Sequence, residues 1–80
     1  MVNDLGFDKT VFATKLRRKR RDRDISQVAL AEKVGLSQDA IVKYESGGYV
    51  PGSDKVYALA EALGCTPNEL MGWPDERKAG

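Results

Sequence analysis

The chain has 80 residues, 13 of them basic and 12 acidic, for a formal net charge of +1. One domain of this size has a modest core, so its stability depends on close helix packing or on dimerisation. A single cysteine and no histidine exclude a disulfide framework and a Cys/His zinc site within the chain, and a hydrolase triad lacks its usual base; with no membrane-length apolar run and no signal-peptide core, the expectation is a soluble cytoplasmic protein without enzymatic activity, cofactor or membrane partner.

Residues 1–8 read as a flexible leader, with Asp8 a candidate N-cap. Val11, Phe12 and Leu16 then recur on one helical face. The rest of this first helix is "KLRRKRRDR", residues 15–23, with seven bases against the single acid Asp22. The remainder of the chain is acidic on balance, so the positive charge gathers on one surface; such a run is either an ordinary solvated helix face or the footprint of a polyanion partner. The helix should reach about Arg21, because Asp22 and Asp24 oppose the negative end of the helix dipole.

Ser26 caps a second helix, Gln27 to about Val34, and Gly35 ends it. Ser37 caps a third, Gln38 to about Glu45, closed by Gly47 and Gly48 and followed by the loop "YVPG". A fourth begins near Ser53, with Val56, Leu59, Ala60 and Leu63 on its apolar face and Gly64 at its end. Thr66, Pro67 and Glu69 form a capping-box start for a short fifth helix ending near Met71 and Gly72. Trp73 is expected to fold back onto the core and Cys65 to be a buried thiol. Residues 74–80, "PDERKAG", read as a frayed tail or the start of a linker, which leaves 9–73 as the domain. The class is all-α, a five-helix bundle.

Spacing within "ISQVALAEKVGLSQDAIVKYESG", residues 25–47, carries the functional reading. Counted from Gln27 as the first position, Leu30, Val34, Leu36, Ile41 and Tyr44 supply one apolar face. Ala31 provides the small side chain that two steeply crossing helices need where their backbones approach. Gly35 provides a residue that tolerates positive φ in the turn. Together these seven positions form the helix-turn-helix pattern.

The sequence resembles the Cro and phage-repressor type of helix-turn-helix proteins, the Xre family, over roughly residues 10–72. "SQVALAEKVGLSQDAIVKYESG" is similar to the family's central motif and "VYALAEALGCTPNELMGW" to its closing helix pair. The resemblance implies a compact bundle of the lambda-repressor-like DNA-binding type, with the helix-turn-helix at helices 2 and 3. It also implies a transcriptional regulator, a repressor in the first instance, binding a palindromic double-stranded DNA operator as a homodimer.

The recognition helix would start at Ser37 and present Gln38, Asp39, Val42 and Lys43 to base edges. Gln38 suits adenine, Lys43 guanine or a phosphate, and Asp39 the amino group of cytosine or adenine. The resemblance gives Gln27 a backbone phosphate and a brace to Gln38. It also implies a partly buried salt bridge between Arg20 and Glu45, with Arg20 near a phosphate as well. Arg21 and Arg23 are further phosphate candidates, whereas Arg17 and Arg18 are read as facing solvent.

Three departures from the family stand out. Lys19 occupies a place where leucine is common. The loop "SGGYVPG" lacks a phosphate-binding Lys or Arg, leaving the Tyr49 hydroxyl. Asp39 puts negative charge on the reading face. These departures support an alternative, a module of the same fold that binds a regulator or a toxin in place of DNA. The dimer surface, with the last two helices and Trp73 as candidates, and any small-molecule or peptide effector stay open at this level.

Overall fold

The computed structural model describes residues 9–48 and 50–73. Five helices follow one another: α1 (Lys9–Asp22), α2 (Gln27–Val34), α3 (Gln38–Glu45), α4 (Ser53–Leu63) and α5 (Pro67–Met71). Short polar side chains set most of the starts. Ser26 Oγ accepts from Ala29 N at 3.0 Å and Ser37 Oγ from Ala40 N at 3.1 Å, each satisfying an orphan donor of a first turn. Thr66 and Glu69 form the reciprocal capping box at α5. Gly52, with no side chain to offer, stands before α4.

Glycines in the left-handed region end α2 and α4: Gly35 at φ 72° and Gly64 at φ 71°. The α1–α2 turn uses a different residue. Asp24 takes φ 58° there, a conformation that Asp tolerates better than most non-glycine residues. Its place in the turn is thus conformational as well as electrostatic, and α1 runs one residue beyond Arg21.

Gly35 and Gly64 differ in what surrounds them. A Cβ at Gly35 would meet nothing, whereas one at Gly64 would collide with the guanidinium of Arg23. Gly35→Ala should therefore lose only the backbone term, about 1–2 kcal/mol, readable as a lower midpoint in urea with an unchanged slope. No loss in midpoint would show that the turn does not require positive φ.

The core joins all five helices. Phe12 and Leu16 of α1, Leu30 of α2, Ile41 of α3, Leu59 and Leu63 of α4 and Leu70 of α5 are fully buried. Helix α1 packs on α3 and α5, α2 packs on α3 and α4, and α4 packs on α5. Phe12 meets Tyr44 edge to face, with ring centroids 6.4 Å apart and planes at 74°, a favourable aromatic geometry between α1 and α3. Val34 and Leu36 pack at the edge of this core, and Ala31 is buried at the α2 crossing. No helix among the described residues is long and apolar enough to cross a membrane.

Two expectations are corrected at the far end. Trp73 stays 40% exposed, held by its backbone N–H donating to Asn68 O at 2.9 Å and bordering a recess with Lys15, Lys19 and Glu69. The five-residue α5 closes on Gly72, where a Cβ would run into the Val11 side chain. Cys65 is half-buried, packed against the core but open to a surface recess that it shares with Tyr57, Ala60 and Pro67.

Burial pushes the Cys65 thiol above its ordinary pKa of 9.0; Glu69 adds to the effect, and Lys19 and Arg23 oppose it. The folded thiol therefore keeps its proton where an unfolded chain has begun to ionise. Its contribution to stability is fully present below about pH 9 and is lost as pH rises through the folded value. Iodoacetamide at pH 8 should alkylate the native protein more slowly than the urea-unfolded chain, since the thiolate is the nucleophile. Equal rates would rule out the protonated, half-buried thiol.

Candidate nucleic-acid interface

The helix-turn-helix pair is fixed by a polar node at the end of α3. Glu45, 6% exposed, is the buried charged residue of the described core. Arg20 Nε donates to its Oε2 at 2.6 Å and Arg20 Nη2 to its Oε1 at 3.1 Å. Gln27 Nε2 donates to Oε1 at 3.2 Å. One carboxylate thus receives bonds from α1 and α2 while belonging to α3.

Arg20 also donates from Nη1 to Ile25 O at 2.8 Å, which ties the α1–α2 turn to the same node. The fork of a guanidinium suits this arrangement, because two parallel bonds on the carboxylate leave further donors for a third acceptor. The hydrogen bond to Glu45 raises the Arg20 pKa; burial opposes this and the carboxylate's charge supports it. The net effect favours the cationic form of Arg20. No buried side-chain polar atom among the described residues lacks a partner, so the node is fully satisfied, as a charge out of water must be.

Arg17 is a residue that sequence reasoning placed wrongly. Its Nη1 donates to the backbone carbonyl of Glu45 at 2.9 Å, capping an orphan acceptor at the C-terminal end of α3. Arg17 and Arg20 are three residues apart and share one side of α1, a spacing that puts Arg17 beside the node but does not identify its partner. Gln27 is likewise directed at Glu45, and no hydrogen bond joins it to Gln38 among the described residues. Arg23 lies at another part of the surface, with its guanidinium over Gly64 at the end of α4. Lys19 is partly buried and bounds the recess beside Trp73. Tyr49 and Asp8 fall outside the described residues.

With its inner side fixed, α3 presents the opposite side outward. Ile41, Tyr44 and Glu45 are buried, while Ser37, Gln38, Asp39, Val42 and Lys43 are all exposed. Helical spacing places Gln38, Val42 and Ser46 in one row and Asp39 and Lys43 in the next. Arg21 borders a recess with Arg20, Ile25 and Ser26 at the start of α2, and another with Arg17 and Arg18. Cationic side chains thus stand beside the start of α2, together with the carboxylates of Asp24 in the first recess and Asp22 in the second.

The family model described as helix-turn-helix matches residues 16–70. The chain belongs to the helix-turn-helix proteins of phage-repressor type. Repressor protein C2 of Salmonella phage P22 is 35% identical over 57 residues, which is 71% of this chain but 26% of that protein; the chain thus spans about a quarter of the length of this relative. The crystal structure of the P22 c2 repressor in complex with a synthetic operator superposes with a TM-score of 0.72 at 33% identity, covering 75% of this chain and 91% of that one. Hydroxypropylphosphonic acid epoxidase from S. wedmorenis gives a TM-score of 0.75 at 24% identity, over 81% of this chain and 35% of the epoxidase. That likeness is one of fold alone.

Proposed function

We propose that this helix-turn-helix protein is a sequence-specific regulator of transcription that binds double-stranded DNA, and that it does so as a homodimeric repressor on a palindromic operator. The reading rests chiefly on α3. This short helix is locked on one side by a satisfied charge node, and its other side is exposed and lined with hydrogen-bonding groups. The likeness to the P22 repressor, whose structure holds an operator, supports the same reading.

In this reading α3 enters the major groove, where base pairs differ in donor and acceptor pattern. Gln38 takes adenine through its amide, Asp39 accepts from an amino group, and Lys43 donates to guanine acceptors or to a phosphate. Ser37 caps the helix with its oxygen lone pair and keeps its proton for a donor bond. Arg21 and the start of α2, including Gln27, contact the phosphate chain. Arg20 adds to this, since three of its five N–H groups are engaged within the protein.

Selection of bound sequences from a random duplex pool at moderate salt tests the proposal. Recovery of an inverted repeat supports a dimeric operator binder, and the spacing of its half-sites gives the dimer geometry. Recovery of unpatterned DNA that is lost as salt rises would reduce the reading to charge alone. No recovered DNA would favour the protein-interaction alternative, for which the exposed carboxylate of Asp39 is the supporting feature. Within this frame Arg21→Ala should weaken binding to all sequences alike and lower the salt slope by about one; a sequence-dependent loss would make Arg21 a base contact instead.

A further inference from the structure

Val42 is an apolar residue on the otherwise polar outward side of α3. It is 42% exposed, and it belongs to a helix whose other outward residues, Ser37, Gln38, Asp39, Lys43 and Ser46, are polar. A β-branched residue also lowers helix propensity relative to alanine, by about half a kcal/mol. Neither burial nor propensity therefore explains a valine at this place.

Position does. Along α3, Val42 stands one turn after Gln38 and one turn before Ser46, with Asp39 three residues behind it. Its two methyl groups lie within the outward stripe, flanked by hydrogen-bonding side chains. Most of what a base edge displays in the major groove is polar. The exception is the C5-methyl group of thymine, which is read by apolar contact.

Resting on the DNA-binding reading above, we propose that Val42 is a specificity-determining residue that recognises a thymine through its 5-methyl group, once in each half-site. Water leaves both apolar surfaces on contact, so the preference comes from the methyl group itself and not from any hydrogen bond. Gln38 and Asp39 set the register of the helix by hydrogen bonding; Val42 then distinguishes thymine from cytosine, which lacks the methyl group, and from uracil, which differs from thymine by that group only.

The experiment replaces each thymine of the selected duplex by deoxyuridine, one position at a time, and measures affinity at fixed salt for the full chain and for Val42→Ala. For the wild type, one position per half-site should lose about fourfold, the equivalent of one buried methyl group. Val42→Ala should bind the thymine site about fourfold more weakly and should no longer distinguish thymine from deoxyuridine there. An exposed valine-to-alanine change on a helix preserves the fold, and an unaltered or raised melting temperature checks this. Less than twofold discrimination by the wild type at every thymine would overturn the proposal while leaving DNA binding intact. Discrimination that persists in Val42→Ala would also overturn it and assign the methyl contact to another side chain. Failure of the wild type to bind any duplex would overturn both readings together.

Discussion

Glu45→Ala should lower the stability of the domain by about 3–5 kcal/mol. The expected size comes from what the substitution leaves behind. Arg20 and Glu45 have side-chain exposures of 12% and 5%, so the carboxylate holds a largely desolvated guanidinium. Its removal strands that charge together with the Gln27 amide, which gives its Nε2 donor bond to the same oxygen pair. A domain of this length has about 4–12 kcal/mol in total, so the variant loses a large fraction of its stability. At about 4–8 °C per kcal/mol, the melting temperature followed by circular dichroism should fall by at least about 12 °C.

The double variant Arg20→Ala/Glu45→Ala separates two explanations. If the loss comes from an uncompensated buried charge, removing both partners should cost less than the sum of the single changes, because neither is then left alone. Additive losses would mean that each side chain acts through its own packing. A fall below about 4 °C for Glu45→Ala alone would show that water replaces the carboxylate and that the node does not hold the helices together.

Gln38→Ala should weaken binding to the selected site by about 1–3 kcal/mol and flatten the preference at one base pair. Gln38 is the first residue of α3 and is exposed, so the change should leave the melting temperature nearly unaltered. An amide side chain forms two bonds with adenine only when both its oxygen and its nitrogen meet the base edge. The loss should therefore be large on the selected sequence and small on a duplex already changed at that base pair. Equal loss on both duplexes would make Gln38 a contact to phosphate or sugar. The pair of predictions also divides the helix: Glu45→Ala acts on stability, Gln38→Ala on recognition.

Helix ends were legible because they depend on neighbours in sequence. Ser26, Ser37, Gly35, Gly64 and the Thr66–Glu69 box act within four residues of themselves, and each stands where its local chemistry requires. The apolar spacing likewise identified the core from Phe12 to Leu63, whereas Leu70, in a helix too short to show a period, was not singled out. Polar side chains that reach between helices were less legible. Arg17 meets a carbonyl 28 residues away and Gln27 a carboxylate 18 residues away. Arg23 lies over a glycine in another helix. These partners depend on interhelical distance and side-chain length, which no periodicity records. The pairing of Arg20 with Glu45 came from family likeness, and nothing in the spacing of either residue alone would have joined them.

The separation of the two sides of α3 has a consequence for how such a chain can change over generations. Residues that hold the helix in place, Ile41, Tyr44 and Glu45, share no position with those that face outward, 38, 39, 42 and 43. Substitutions at the outward positions leave the buried node and the aromatic contact untouched, so they meet little selection for foldedness. Mutational drift there changes recognition but costs the fold little, whereas drift at Arg20, Gln27 or Glu45 is penalised whatever the outward residues are. Duplicated copies of this gene would thus be expected to diverge first in the outward row of α3, acquiring new preferences on an unaltered frame.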